Sequence, residues 1–243
     1  MKRSICIASY NGERFIAPQI NSILDQISQE DEVIVVDDSS IDGTLDVVEA
    51  INDERIKIVR NPVNKGHVRT FETAIAHATG DIIYLSDQDD IWPKGRVAAI
   101  ESQIRDYETF LLIGNFQEFY DDEVNDPGVK ILPFEQPGLL SSLKNLTAIL
   151  FGGRYFFGSC MAFSASLKNR ALPFPGFVEA HDRWITVVAA FSLSVRYSKT
   201  AVTLRRVHGD NLTPRKRRSL RKVIYTRVLN LAQFMIALRR KFL

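Results

Sequence analysis

Cysteine is scarce: the 243 residues hold only Cys6 and Cys160. Two thiols cannot staple a disulfide scaffold. Both lie in apolar runs, which fits buried, reduced cysteines. No apolar run approaches 18 residues, so no membrane-spanning helix is expected. Met1-Lys2-Arg3-Ser4 leads straight into a strand-like segment without an apolar leader, so export is not expected. There is no Gly-x-Gly-x-x-Gly turn after that segment and no Gly-Lys-Ser/Thr phosphate loop, which disfavours dinucleotide dehydrogenases and P-loop kinases. Acid is nearly missing from the end of the chain. Residues 196–243 carry fourteen Lys and Arg against Asp210 alone, a charge of +13, while the first 195 residues carry −11. An acidic body with a basic tail points to an anionic partner, either nucleic acid or the anionic face of a membrane.

What is present is the composition of an ordinary globule, 45% hydrophobic and 25% charged. The length suffices for one sizeable core. Residues 3–9, 32–36, 56–59 and 81–85 read as strands, and 15–27, 42–51 and 68–78 as helices, with Asp42 as an N-cap. This alternation predicts an α/β fold with a doubly wound, mostly parallel sheet. After about residue 110 the rhythm breaks. Residues 111–119, 156–163, 194–197 and 201–207 read as strands, 181–191 as a helix, and 121–138 as a loop rich in Pro, Gly and Asp. From Ser219 onward, Leu220, Val223, Ile224, Val228, Leu231, Met235 and Leu238 form a helical apolar stripe.

In an open α/β sheet, ligands bind at the carboxyl ends of the strands. Three polar clusters fall there: Ser9-Tyr10-Asn11, Asp37-Asp38 and Asp87-Gln88-Asp89-Asp90. Carboxylates without a phosphate-cradling glycine loop can hold a diphosphate through a divalent cation. Asp87-x-Asp89 gains specificity by following an apolar strand and preceding Ile91-Trp92-Pro93.

With these motifs the chain resembles the family 2 glycosyltransferases of GT-A fold, in particular the bacterial rhamnosyltransferase-like enzymes that build O-antigen and capsule chains. The matching segments are 8–12, 35–44, 61–66, 86–92, 157–163, 181–184 and 206–211. The resemblance implies an inverting, metal-dependent sugar transfer from a dTDP- or UDP-sugar donor to a lipid-linked oligosaccharide. It implies that Asp38 accepts a hydrogen bond from the imide of a uracil or thymine, flanked by Ser9, Tyr10 and Asn11. Lys65 joins this nucleotide-sugar site. Asp87 would contact the ribose or an ordered water, Asp89 would ligate Mg²⁺ or Mn²⁺, and His208 would be a further metal ligand or a diphosphate contact. Asp182 would be the general base. Trp92, Gly158, Ser159 and His181 would face the acceptor. Where relatives more often have Gly and Thr, this chain has Ser39 and Ile41. Where many have Glu before the base, it has His181.

The chemistry asks for these parts independently. A sugar nucleotide carries an activated anomeric carbon, so one carboxylate base on the acceptor side and charge stabilisation on the leaving-group side suffice. A hydrolase would need two carboxyls facing each other across the bond. Residues 1–110 are expected to form the nucleotide-sugar half of one domain, 111–213 its acceptor and catalytic half, and 214–243 a basic amphipathic helical tail. A cytoplasmic protein, peripheral on the inner face of the membrane, follows from that tail. Two other readings compete. A nucleotidyltransferase normally has a glycine-rich basic first loop, which Tyr10-Asn11-Gly12-Glu13-Arg14 is not. A nucleic-acid binder would interleave aromatics with its basic residues, and this tail has few; no nucleic acid is expected as a partner.

Overall fold

The β-branched runs become strands and the 3.6-period segments become helices: β1 (Arg3–Ser9), α1 (Ile16–Leu24), β2 (Glu32–Asp37), α2 (Thr44–Ile51), β3 (Ile56–Arg60), α3 (His67–His77) and β4 (Ile82–Asp87). Then follow α4 (Arg96–Glu101), β5 (Leu111–Tyr120), α5 (Leu139–Phe151), β6 (Met161–Ser164), α6 (Ala165–Ala171), α7 (His181–Phe191), β7 (Val195–Val207) and α8 (Leu220–Arg240). The computed structural model describes residues 1–104, 108–120, 139–151, 156–209 and 219–241. The expected loop at 121–138, the basic run at 215–218, and Asp210 and Asn211 lie outside them.

The strands form one seven-stranded sheet in the order β3-β2-β1-β4-β6-β5-β7. Strands β1 to β4 pair in parallel, β6 runs antiparallel to both neighbours, and β7 is parallel to β5. The fold is therefore the mixed, mostly parallel α/β sheet expected. Alternate residues along each strand feed two cores. Cys6, Ile34, Val36, Ile83 and Leu85 pack beneath α3, α6 and α7. Ile5, Ile7, Val33, Val35 and Tyr84 pack beneath α1, α2 and α4. Every residue of β2 is buried, as a strand covered on both faces should be.

Several local readings change. Residues 156–163 are not one strand: a 3₁₀ turn, Gly158–Cys160, precedes β6. Segments 194–197 and 201–207 join as β7, irregular opposite Asn115, whose Nδ2 donates to the carbonyls of Ser198 (3.1 Å) and Lys199 (3.0 Å). Asp42 is not the N-cap. Gly43 takes that position, while Asp42 accepts from the Thr44 N–H at 3.1 Å just outside the helix. Helices α4, α5 and α6 carry too short or too mixed an apolar pattern to be legible alone.

Candidate active site

The register brings the polar clusters to one edge. Ser9 lies beside Asp37, and Ala8 beside Asp87, so the carboxyl ends of β1, β2 and β4 are level. The loop after β1 is tied to both neighbouring loops. The Asn11 N–H donates to Ser40 Oγ (2.9 Å), and Asn11 Oδ1 accepts from the Ile41 N–H (3.0 Å). Gln88 clasps Tyr10 twice, accepting from its N–H (2.9 Å) and donating to its carbonyl (3.1 Å). A Cβ on Gly12 would lie 2.3 Å from Gln88 Oε1, so only glycine allows this clasp. Ser39 has φ +69°, a left-handed conformation that glycine adopts without strain. A glycine there, as the resemblance leads one to expect, would take this geometry without strain.

Asp38 is 2% exposed. Its carboxylate accepts from Asn61 Nδ2 (2.8 Å), the Lys65 N–H (2.9 Å) and the Gly66 N–H (2.8 Å). Asp38 therefore shapes the loop at 61–66 as well as offering an acceptor. A carboxylate has about four acceptor positions, and three are used by that loop. Ser9 is buried, whereas Tyr10, Asn11 and Lys65 are exposed at this edge.

The acid loop is the densest charge in the site. One oxygen from each of Asp87, Asp89 and Asp90 lies within 4.8 Å of the others. The last residues of β7 are laid against it through an antiparallel bridge between Ile91 and Leu204. The Arg206 N–H donates to Asp90 Oδ1 (3.2 Å), Arg206 Nε donates to the Asp89 carbonyl (3.1 Å), and His208 Nε2 sits 2.8 Å from Asp89 Oδ2. Burial, reinforced by the charge of Asp89, pushes the Asp87 carboxyl up to about 7. Burial, with Asp87 and Asp89, pushes Asp90 well above the carboxylate range. Asp90 Oδ2 is buried with no hydrogen-bond partner among the described residues. Three crowded carboxylates with an orphaned oxygen are a hard-oxygen donor set that fits Mg²⁺ or Mn²⁺. His208 is placed either to join that set or to orient Asp89.

Beneath the loop lies a residue that sequence reading missed. Arg96 is 1% exposed and donates to the carbonyls of Val202 (2.8 Å), Leu85 (3.3 Å) and Ser159 (2.7 Å). It ties β4, β7 and the 3₁₀ turn together behind the carboxylates. No sequence signal separates it from a surface arginine, because its burial depends on partners about 60 and 100 residues away. Asp90 belongs to the acidic set itself.

Asp182 stands in the first turn of α7 and is half-buried. Its Oδ1 accepts from the Arg183 N–H at 2.6 Å, and burial pushes its carboxyl up to about 6. It lies near enough to Asp87 for its charge to raise that carboxyl too. The base candidate and the acidic cluster thus lie within electrostatic reach of each other although 92 to 95 positions separate them in the chain.

Trp92 corrects an expectation. It is 2% exposed, donates from Nε1 to Ser86 Oγ (3.0 Å) and carries the Arg96 guanidinium 4.1 Å above its ring. It is a core residue and offers no face to an acceptor, because β4 and α4 enclose it. Gly158, Ser159 and His181 are buried as well. His181 stacks on Phe71 at 4.1 Å, and a Cβ on Gly158 would lie 2.4 Å from its Nε2. Desolvation, and then the nearby His67, push His181 down to about 3, so it is neutral.

Residues 4–167 match the family described as "Glycosyl transferase family 2". EpsE of Bacillus subtilis (strain 168) is 33% identical over 144 residues, covering 58% of this chain and 51% of EpsE. A relative from Escherichia coli named UDP-Glc:alpha-D-GlcNAc-diphosphoundecaprenol beta-1,3-glucosyltransferase WfaP is 26% identical over 219 residues, 89% of this chain and 82% of WfaP. Among solved structures, S. aureus TarS 1–349 in complex with UDP-GlcNAc superposes with a TM-score of 0.75 at 22% identity, covering 96% of this chain and 66% of that one. The chain thus spans about half the length of EpsE and two thirds of that TarS chain.

Proposed function

This chain belongs to glycosyl transferase family 2, and we propose that it moves a sugar from a UDP- or dTDP-sugar to an acceptor hydroxyl with inversion of the anomeric carbon. The observation that carries the reading is the Asp87, Asp89 and Asp90 cluster, with Asp182 within electrostatic reach of Asp87, at the sheet edge where Asp38 holds the 61–66 loop.

In this reading residues 1–110 hold the nucleotide and residues 111–213 supply the acceptor side. The remaining acceptor position on Asp38 takes the imide N–H of the base. Ser9, Tyr10, Asn11 and Lys65 lie at the same edge. Asp87, Asp89, Asp90 and His208 would hold Mg²⁺ or Mn²⁺, which when bound offsets the charge growing on the leaving diphosphate. Asp182 removes the proton from the acceptor hydroxyl as that oxygen attacks the face opposite the diphosphate. One displacement inverts the centre, and no second carboxyl is needed across the bond. A carboxyl held at about 6 is ionised near neutrality yet more basic than an exposed aspartate, as a general base should be. His181 and Gly158, both buried, would support the start of α7 that carries the base.

The acceptor we propose is a lipid-linked oligosaccharide of bacterial surface polysaccharide synthesis, met at the cytoplasmic face of a membrane. The name of WfaP, with its UDP-Glc donor and diphosphoundecaprenol acceptor, supports this class. Among the described residues no helix is long and apolar enough to cross a membrane, so the proposal is peripheral association.

Thermal unfolding of the purified chain with UDP, dTDP and their sugars, with and without Mn²⁺, tests the reading. Nucleotide should raise Tm only when Mn²⁺ is present, and Asp89→Ala should remove that effect without lowering the unliganded Tm by more than a few degrees. No stabilisation by either nucleotide would overturn the proposal, and stabilisation that survives EDTA would overturn its metal.

A further inference from the structure

A surface helix ordinarily turns its apolar stripe to the core. Helix α8 turns only part of its apolar surface inward, through Phe234, Ile236 and Ala237. Its buried positions include Thr226, Asn230 and Gln233, while Ile224, Tyr225, Val228, Leu231, Met235 and Leu238 are exposed. The inward face is docked by polar contacts. Arg227 donates to the Phe151 carbonyl (2.6 Å) and Asn230 to the Ile149 carbonyl (3.1 Å), at the C-terminal end of α5. Arg240 donates to the carbonyls of Arg170 (3.1 Å), Ala171 (2.6 Å) and Pro173 (2.7 Å), at the end of α6. Helix ends leave such carbonyls without partners, and these residues satisfy them. The orientation of α8 is therefore set by these hydrogen bonds together with Ala237, Phe234 and Ile236, which pack on the core, and a second apolar stripe is left outward.

The outward stripe, at 224, 228, 231, 235 and 238, spans roughly 21 Å. Exposed Arg221 and Lys222 stand at one end and exposed Arg239 at the other. Residues 211–243 contain no acid. A second copy laid on this stripe, parallel or antiparallel, would bring basic ends against basic ends, with none of the opposite charges that pair coiled-coil helices. An apolar strip with cationic ends suits an anionic lipid surface: the apolar side chains enter the acyl boundary and the basic ones meet the headgroups.

We propose that the outward stripe of α8 is the face on which this chain docks to an anionic bilayer. The docking face and the base are one helix apart. On its inner side α8 meets the residues flanking Asp182: Thr226 Oγ1 donates to Glu179 Oε2 (3.4 Å) and Arg183 Nη1 donates to Asn230 Oδ1 (3.4 Å). A helix is about 10 Å across, so a docked chain holds its acceptor-side carboxylate close to the lipid headgroups. That last consequence rests on the proposed transfer to a lipid-linked acceptor; the docking face does not.

Sedimentation of the full chain with phosphatidylcholine vesicles, with and without phosphatidylglycerol, tests the docking without any donor or acceptor. The chain should pellet with the phosphatidylglycerol vesicles at low salt and be released as salt rises. Leu231→Asp with Met235→Asp should weaken this binding at least roughly tenfold, as should Arg221→Glu with Lys222→Glu. Helical circular dichroism and affinity for UDP or dTDP should be unchanged in both, since all four residues are exposed. A chain that stays in the supernatant overturns the proposal, and so does equal binding to both kinds of vesicle. A dimer dissolved by the Leu231 and Met235 substitutions also overturns it, and gives the face to a second copy.

Discussion

At the scale of single residues, Asp182 is held in a costly state. Burial raises its carboxyl to about 6, so ionising it costs the fold while making it a better base. Asp182→Asn should lower kcat by at least roughly 10²-fold, with little change in donor affinity. Wild-type kcat/KM should fall about tenfold per pH unit below 6, as the carboxylate is protonated. The stability sign is opposite to the activity sign. A carboxyl raised by folding destabilises the ionised protein, so at pH 7 Asp182→Asn should unfold at a higher temperature than wild type. A variant with wild-type turnover would move the base to another group. Ser39 also holds a costly state, its left-handed backbone, yet it could be recognised in the sequence only as a departure from glycine.

At the scale of elements, the site depends on loops pinned to one another across strand ends. Gln88 has no charge and no catalytic chemistry, but its two hydrogen bonds to Tyr10 join the loop after β1 to the acid loop after β4. Gln88→Ala should weaken UDP or dTDP binding about tenfold, the worth of two ordinary hydrogen bonds in ordering a loop. Titration calorimetry would check this, and Gln88→Glu should not restore affinity, because it loses the donor to the Tyr10 carbonyl. The strands that present these loops were legible as apolar, β-branched runs. The clasp was not, since Gln88 reads in sequence as a polar spacer between aspartates.

At the scale of the whole molecule, the edge of the sheet opposite the site is held by a buried carboxylate hub. Glu32 accepts from Ser4 Oγ, the Thr79 N–H and hydroxyl, and Lys57 Nζ. Burial would raise this carboxyl, but the hydrogen bonds from Lys57, Ser4 and Thr79 prevail and hold it at about 2. A carboxyl lowered by folding stabilises the protein fully above its ordinary value of 4.5, and that stabilisation is lost as pH falls toward 2. Glu32→Gln should unfold at lower denaturant than wild type at pH 7, by about 2 kcal/mol. The difference should shrink between pH 4.5 and 2, as read by urea titration. A difference independent of pH would mean that Glu32 acts through packing alone.

The sequence by itself determined the α/β sheet and the edge at which chemistry gathers, because strand and helix periodicities are local and carboxyl ends follow from chain direction. Its resemblance to the family also marked Asp38, Asp87, Asp89, Asp182 and His208 as residues of interest. Tertiary structure alone decided which of them meet. His208 reaches Asp89 across 119 residues because β7 ends against the acid loop, and Arg96 is buried because the carbonyls of Leu85 and of the distant Ser159 and Val202 converge on it. It also decided against Trp92, whose aromatic ring suits a sugar and a core equally until its neighbours are known. The apolar stripe of α8 was visible from residue spacing, but its direction was not. Periodicity shows that a helix has two faces. Which face turns inward depends on the free energy of its contacts, and here hydrogen bonds to the ends of α5 and α6, with Phe234, Ile236 and Ala237 on the core, turned the mixed face in.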